Sequence, residues 1–356
     1  MWSVSKRVPR KAAVQAYTGA IQARTCRVQQ DRQEKEGMLV NLVFVILGIA
    51  MLVFGGDLLV DGAGNIAKRL GMSDRVAGLT ICAVGTSMPE VFVSVTSAIG
   101  GNADVAVGNI VGSNMANLLL ILGVTALIVP LNLARRTTRF EVPLSIAAVI
   151  VFGLFANTDG SINAIEGAVL LICFVFFIGN SVVAGMRENE DDEAAGTKQP
   201  ETPDDGRHPL IDLVFIVASI ALLKFGADFV VDNAVIIAAT LGVSQRLISL
   251  TIVSIGTSLP ELVTSSVAAF KGNADTAVGN VVGSNISNLL LVAGAPALFS
   301  PVGFDAAYNF DLVLVAVFSV CLVVFTFVGT TRTFSRRCGL VFVMFYVIYL
   351  AMSPLR

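Results

Sequence analysis

The chain has few of the residue types from which soft-metal centres and hydrolase sites are built. Of its 356 residues only 14% are charged, one is histidine and five are cysteine. His208 lies in a polar stretch, and the cysteines show no paired spacing at Cys26, Cys82, Cys173, Cys321 and Cys338. We therefore expect free thiols, and no zinc or copper site, because those metals need histidine or thiolate ligands. An intramembrane hydrolase is disfavoured too, since no HExxH motif occurs.

Apolar residues dominate what is present. They make up 55% of the chain, and the mean hydropathy is +0.79, as in polytopic membrane proteins. A helix that crosses a bilayer needs about 20 mostly apolar residues. Ten runs of suitable character cover residues 39–63, 76–99, 105–129, 142–156, 165–184, 211–239, 247–270, 276–299, 312–328 and 340–352. The sequence thus predicts an all-α polytopic membrane protein with ten transmembrane helices in a lipid bilayer.

The basic residues are distributed unevenly between the two sides of these spans. If Met38 lies outside, the part of the chain after it carries only Arg246 and Arg356 on the outer side, which predicts this orientation by the positive-inside rule. The eight basic residues before Met38 would then lie on the wrong side. The inner side carries Lys68, Arg69, Arg75, Arg135, Arg136, Arg139, Arg187, Lys198, Arg207, Lys271, Arg332, Arg336 and Arg337. The polar, basic segment 1–37 lacks the apolar core of a signal peptide. We expect it to be a polar tail or a wrongly assigned upstream start, with Met38 as the true initiator.

An acidic stretch divides the chain into two halves of five spans each. Residues 186–209 are rich in Glu and Asp and contain prolines, and they lack the glycine-punctuated spacing of an EF-hand loop. This composition predicts a disordered cytoplasmic linker. The halves are 38–185 and 210–356.

The two halves carry the same two motifs, 171 residues apart. GTSMPE at 85–90 recurs as GTSLPE at 256–261, and GNIVGSNMAN at 108–117 recurs as GNVVGSNISN at 279–288. Because five spans is an odd number, the second half enters the membrane from the opposite face, giving a five-plus-five inverted-topology repeat. Matched elements of such a repeat meet near the midplane, where a site can open to each side in turn.

Each GTS-x-PE motif puts a carboxylate beside a helix-breaking proline within a span. Pro89 lacks an N–H and clashes with the carbonyl four residues earlier, so the helix should break near Gly85. The break leaves backbone carbonyls without a hydrogen-bond partner, and a cation can satisfy them. Hydroxyls three and four residues before the glutamate share its face. The resulting sets are Thr86, Ser87 and Glu90, and Thr257, Ser258 and Glu261, joined by Asn109, Ser113 and Asn117, and Asn280, Ser284 and Asn288, at four-residue steps on the next span.

This oxygen-only cage suits hard cations such as calcium. Two glutamates supply a charge of minus two, which one divalent ion or a small group of sodium ions neutralises, so the two loads should compete. A carrier that must neutralise these carboxylates before it switches would couple the competing ions into exchange without a chemical step. The sequence therefore predicts an antiporter that is not an enzyme, needs no cofactor and binds no nucleic acid.

Other polar and small residues in the spans have plainer interpretations. The glycines Gly108, Gly112, Gly279 and Gly283 fit close helix packing, and for Asn114 and Asn285 packing and ion binding remain open. For Asp57, Asp61, Asp228 and Asp232 we expect structural roles. Lys224 lies four residues before Asp228, which predicts an ion pair within one helix or a snorkelling side chain.

The doubled pattern GTS-x-PE followed by GN-x-x-GSN-x-x-N resembles the alpha-repeats of the cation/calcium antiporter superfamily, specifically its prokaryotic sodium/calcium exchanger branch. The resemblance extends from about residue 39 to the C-terminus. It implies ten spans and four clustered sites at which sodium and calcium compete. Calcium would then bind Glu90, Glu261, Thr86 and Thr257, and sodium sites would be completed by Ser87, Ser258, Ser113, Ser284 and the carbonyls of Ala83 and Ser254.

One position departs from the pattern of that superfamily. Asn288 stands where many relatives carry aspartate, and it matches Asn117 in the first half, so the central site is uncharged at both positions. In potassium-dependent relatives an acid here is linked to potassium, so the asparagine argues against potassium co-transport.

The resemblance implies a multi-pass monomer in the plasma (inner) membrane of a prokaryote, with calcium and sodium ions as its cargo. Calcium/proton exchange remains the alternative activity, because the same carboxylates can carry protons. A channel is a further alternative, since residues alone do not distinguish it from a carrier.

Overall fold

The computed structural model describes residues 10–195, 208–243, 254–327 and 333–352, with side chains described for 37–187, 208–243, 255–325 and 333–352. Residues 196–207 of the acidic linker, Arg246 and the first part of the predicted span 247–270 lie outside the described backbone, and the side chains of the N-terminal segment lie outside the described side chains. The start of the linker is helical and not disordered as predicted, because the helix Ala164–Ala195 continues into it. The cysteines Cys82, Cys173, Cys321 and Cys338 are free, as predicted.

Ten helices follow one another along the described chain. Eight are long and apolar enough to cross a membrane, α7 is a shorter apolar helix, and α10 has 17 residues. Their bounds are α1 Arg10–Arg69, α2 Asp74–Ile99, α3 Ala103–Ile128, α4 Thr137–Thr158, α5 Ala164–Ala195, α6 Pro209–Thr240, α7 Leu259–Phe270, α8 Ala274–Ala297, α9 Tyr308–Phe327 and α10 Arg336–Met352. The predicted all-α membrane fold is confirmed.

Two short β-ladders join the halves. The strand β1 (Leu131–Asn132) pairs antiparallel with β4 (Thr333–Phe334), and β2 (Ser161–Ile162) pairs antiparallel with β3 (Val302–Gly303). Each ladder combines a loop of the first half with a loop of the second. The repeat relates β1 to β3 and β2 to β4. Exchanging the two halves therefore replaces the β1–β4 ladder with the β2–β3 ladder, as an inverted repeat requires.

The centre of the bundle is formed by the spans that carry the repeated motifs. In α8 94% of the most apolar stretch is buried, and in α3 78%, whereas in α1 the value is 11%. The long helices α1 and α6 lie side by side at the edge of the bundle. Glycines let them approach closely, since a Cβ on Gly226 would lie 2.9 Å from the carbonyl oxygen of Gly48. The motifs are thus enclosed by protein.

Glycines also bring α8 against α2. A Cβ on Gly279 would lie 2.9 Å from the Leu79 nitrogen, and one on Gly283 would collide with the Leu79 carbonyl oxygen. A residue with a Cβ could not come this close unless the neighbouring backbone moved. The predicted packing role of Gly279 and Gly283 is therefore confirmed. The crossing joins a helix of each half directly behind the repeated motifs.

Charged residues cluster on one side of the bundle, which we call the linker face because α5 ends and α6 begins there. Buried Arg75 pairs with buried Glu141, and Arg69 lies 3.4 Å from Asp212, which also accepts a hydrogen bond from Asn65. The Arg75–Glu141 pair was not predicted. Glu141 lies just before the expected span 142–156, whereas α4 begins already at Thr137 and carries this carboxylate into the protein.

Replacing Gly283 with alanine should destabilise the fold. The added methyl group meets the α2 backbone, which cannot yield as a flexible side chain would, and overpacking of this kind costs about 1–3 kcal/mol. We expect a lower unfolding temperature in detergent, measured by intrinsic fluorescence or calorimetry. Gly179→Ala on α5 is the matched control, because a Cβ there has no neighbour within 4 Å. Equal unfolding temperatures for the two variants would contradict the packing role.

Candidate functional site

Both GTS-x-PE motifs interrupt a helix, and they do so at the same position. The helical backbone stops at Ser87 (φ −81°, ψ 1°) and at Ser258 (φ −91°, ψ 7°), and each proline then lies in the first turn of the segment that follows. Proline is tolerated there because its missing N–H has no partner in a first turn. The break therefore falls at the serine, two residues after the glycine near which it was expected.

The two glutamates lie at the heart of the bundle. Glu90 and Glu261 have no solvent-accessible surface, and each occupies the first turn of the helical segment after its break. The positive end of a helix dipole favours an anion at this position. Ser87 donates a hydrogen bond to Oε1 of Glu261 over 3.4 Å, so the second half's carboxylate reaches the first half's motif. The halves thus meet where their carboxylates lie.

Four carboxylates are buried in the described parts of the chain, and they divide into two kinds. Glu141 and Asp212 lie within ion-pair distance of Arg75 and Arg69. Among described residues Glu90 has no hydrogen-bond partner for either carboxylate oxygen, and Glu261 has none for Oε2. A buried carboxylate without a compensating charge costs several kcal/mol. These oxygens are therefore suited to an added cation.

Further oxygens around the glutamates are buried and without a described hydrogen-bond partner. They belong to five of the residues selected from the sequence, namely Ser113, Asn117, Ser258, Ser284 and Asn288. Native proteins leave few buried polar atoms unsatisfied, so a group of them in one region calls for a ligand. Together with two carboxylates they form a donor set of oxygens, as a hard cation prefers.

The asparagines of this set lie at irregular points of their helices. Wider π-helical turns span Ala116–Ile121 in α3 and Asn288–Val292 in α8, so Asn117 and Asn288 both lie in one. Single π-turns are frequent at functional sites, since they turn side chains away from the regular helical register. The four-residue spacing noted in the sequence did not reveal this feature.

The remaining selected residues are placed less uniformly. Thr86 is buried, and Thr257 is half-buried. The Ala83 carbonyl accepts the Ser87 N–H at 3.1 Å and the Thr86 hydroxyl at 3.4 Å, while Ser254 begins the short turn Ser254–Gly256 before the second break. Asn114 and Asn285 are buried with an unsatisfied Oδ1, so the choice between packing and ion binding stays open for them.

Asn109 and Asn280 act on the glutamate segments in a manner that their spacing did not predict. The side-chain amide of Asn109 donates to the Glu90 carbonyl (3.2 Å) and to Ser94 (3.0 Å). Asn280 repeats this arrangement on the Glu261 carbonyl (3.5 Å) and on Ser265 (2.9 Å). Each amide thus fixes the backbone of a broken helix to the span that follows. Both residues position the carboxylates through their main chain.

Contacts across the site are not symmetric. Thr86 donates to Oδ1 of Asn280 at 3.4 Å, and Ser87 donates to Glu261, so hydroxyls of the first half reach the second. The matching hydroxyl of Ser258 has no described partner. Because the repeated residues are identical, the difference arises from conformation. The structure is therefore one of two inequivalent arrangements that an inverted repeat permits.

These features define a class of protein before any comparison. Within the described ranges no cluster of three or more His, Cys, Asp or Glu residues occurs. What is present is a central, water-shielded set of oxygens at the junction of two inverted repeats. The fold and the site are those of a membrane carrier for hard cations.

Comparison with known proteins identifies the family. A sequence profile described as sodium/calcium exchanger protein matches residues 40–183 and 211–354, and the chain belongs to this family. It is 39% identical to CaxA of Alkalimonas amylolytica over 88% of this chain and 98% of that protein. It is 31% identical to sodium/calcium exchanger MaX1 of Methanosarcina acetivorans over 87% of this chain and 97% of that protein.

A solved structure supports the same assignment. The sodium-calcium exchanger NCX_Mj superimposes with a TM-score of 0.73 and 28% sequence identity, covering 90% of this chain and all of the other. The predicted family and the ten-helix inverted-repeat fold are confirmed. The protein is a multi-span membrane carrier of the cation/calcium exchanger type.

Asn280→Ala should weaken calcium binding without abolishing it. The variant removes the amide that fixes the Glu261 segment, and two lost hydrogen bonds of about 1 kcal/mol each predict a roughly thirtyfold higher dissociation constant. Calcium titration in detergent, followed by the shift in unfolding temperature, measures this. The control is Asn233→Ala on α6, whose amide donates only to the Phe229 carbonyl of its own helix. An equal effect of both variants would contradict the positioning role.

Proposed function

We propose that the chain is a secondary active antiporter that exchanges sodium for calcium by alternating access. The observation that carries this proposal is the pair of fully buried glutamates, one from each half. Unlike the other buried carboxylates, they have no arginine partner in the described parts of the chain. The proposed ion ligands are Glu90, Glu261, Thr86, Thr257, Ser87, Ser258, Asn117, Asn288, Ser113, Ser284 and the carbonyls of Ala83 and Ser254.

The charge of this ligand set supports a choice between loads. Glu90 and Glu261 contribute two negative charges, and Asn117 and Asn288 contribute none. One calcium ion neutralises the pair, and sodium ions at neighbouring oxygens do the same, but both loads together leave a large positive excess in a medium of low dielectric constant. Sodium and calcium therefore displace each other. Exclusion of one load by the other is the condition for exchange.

The same charge supports switching in the loaded form. An empty site would carry two uncompensated carboxylates through the occluded state, at a cost of several kcal/mol. A loaded site carries a neutral or nearly neutral complex. The carrier accordingly changes its accessible side with an ion bound, which prevents a leak of either cation.

We place the protein in the inner membrane of a prokaryote, with the acidic linker 186–209 in the cytoplasm. The excess of basic residues on the linker side supports this orientation. Inner membrane protein YrbG of Escherichia coli, 33% identical over 88% of this chain and 97% of its own length, supports the location. The repeats 38–185 and 210–356 then enter from opposite sides.

The decisive experiment is calcium flux in proteoliposomes, with the sodium, potassium and proton gradients varied separately. We expect calcium uptake driven by an outward sodium gradient and indifferent to potassium. Glu90→Gln and Glu261→Gln should each reduce this flux by more than about a hundredfold, because each removes half of the compensating charge. Calcium uptake that persists without sodium and acidifies the medium would establish proton exchange instead.

A matched control tests whether the loss of flux is specific to the carboxylates of the site or follows from the loss of any carboxylate. Glu166 on α5 caps its helix by accepting the Asn163 N–H, and a glutamine can retain that contact. Glu166→Gln should therefore leave the flux unchanged. Calcium flux that follows its own gradient without any counter-ion, in wild type, would identify a channel and overturn the antiport proposal.

A further inference from the structure

The contacts at the two faces of the bundle differ. On the linker face α1 packs along α7. The approach is close, because a Cβ added to Gly56 of α1 would lie 3.4 Å from the Cα of Thr264 in α7. The repeat-related contact, between α6 and the segment Met88–Ile99, is slight among the described residues. Thr264 is fully buried, whereas its counterpart Val93 is only half-buried. The crevice beside α1 is closed, and the corresponding crevice beside α6 is more open.

An ion triad bridges the closed crevice. Lys271, just after α7, reaches Asp57 (2.7 Å) and Asp61 (2.6 Å), which lie one turn apart on α1. Burial alone would lower the Lys271 pKa, but the hydrogen bonds and charges of the two carboxylates outweigh it and raise that pKa. The side chain is therefore a cation at neutral pH. It connects the α1–α6 pair to the helices that carry the second glutamate.

Among the described residues, which do not include Arg246, the other face has no equivalent triad. The counterparts of Asp57 and Asp61 are Asp228 and Asp232, but the counterpart of Lys271 is Gly100. Asp228 is already paired with Lys224 one turn earlier on α6 (2.6 Å), and Lys224 has Val53 as its counterpart. This confirms the predicted ion pair within one helix. Among the described residues, neither Lys224 nor Asp228 forms an ion pair with another helix across the crevice.

We propose that Lys271, held between Asp57 and Asp61, is a one-sided latch that favours the state closed at the linker face. The inference rests on the proposed alternating access, because a latch has meaning only if the α1–α6 pair takes up two positions. To open the linker face α1 must leave α7, and the triad must then break. Opening the opposite face breaks no equivalent triad among the described residues. The two orientations of the carrier are therefore unequal in free energy even without a membrane potential.

The test compares the apparent affinity for calcium at the two faces. Uptake is measured in right-side-out and in everted membrane vesicles. The apparent affinity at each face scales with the population of the state that is open at that face. The ratio of the two half-saturating calcium concentrations therefore reports which state predominates. Lys271→Gln should improve the apparent affinity at the linker face relative to the opposite face by about fivefold, the expected effect of a partly exposed ion pair. Lys224→Gln removes a lysine of similar exposure whose ion pair lies within one helix. Its charge also acts on Glu90, so this variant can change the affinities at both faces together, but it should leave their ratio unchanged.

A variant that places the lysine at the opposite face tests the direction of the effect. Gly100→Lys combined with Lys224→Val frees Asp228 and supplies the missing lysine at the opposite face. Gly100 has right-handed helical backbone angles (φ −74°, ψ 0°), so a side chain is compatible with its conformation. This double variant should favour the other state and move the ratio in the same direction as Lys271→Gln. Lys271→Arg, which keeps the charge, should resemble wild type.

The outcomes separate this proposal from the proposed function. If the wild-type protein exchanges no calcium in either type of vesicle, the proposal of antiport is itself wrong. Wild type that exchanges, with an unchanged ratio in Lys271→Gln, would overturn the latch alone. An equal shift in Lys224→Gln would overturn it as well, since the effect would then be one of net charge. If Lys271→Gln is too unstable to assay, Asp57→Asn with Asp61→Asn removes the same triad and must give the same shift.

Discussion

Two carboxylates that are held away from water, and that have no arginine partner among the described residues, are the constraint on which the rest of the structure depends. Such groups cost several kcal/mol each unless hydrogen bonds or a counter-charge compensate them. The chain supplies partial compensation by breaking each motif helix at a serine, so that Glu90 and Glu261 lie at helix N-termini among hydroxyls and amides. The compensation remains incomplete, and in the proposed function a bound cation completes it. A fully satisfied site would bind nothing.

The surrounding helices keep this costly arrangement in place. Gly279 and Gly283 let α8 lie directly on α2, and the amides of Asn109 and Asn280 fix the broken segments to the following spans. The Arg75–Glu141 pair fastens the start of α2 to α4 at the linker face. Such rigid support is what the proposed alternating access requires, because the site must stay intact while the helices that cover it move.

The sequence predicted the elements that meet but not all the contacts between them. A duplicated motif in halves of five spans leaves one topology, and that topology brings matched residues to the midplane, so Glu90 and Glu261 could be named without coordinates. The π-turns at Asn117 and Asn288 were not predictable, because they arise from tertiary packing and leave the residue pattern unchanged. Lys271 was also missed as a partner of Asp57 and Asp61, since a pairing across the two halves has no local spacing.

The distribution of charge explains why the two halves can share a site and still behave differently. In the site the repeat is conserved in charge, with one glutamate and one asparagine from each half, and its net value suits a single divalent ion. Outside the site the repeat is broken, because Lys224 and Lys271 have no charged counterparts at Val53 and Gly100. In the proposed function, the identical ligand residues of the two halves let either face load the same ions. Asymmetry at the crevices sets which face the unequal equilibrium favours, and substitutions there can change this preference without altering the ions that bind.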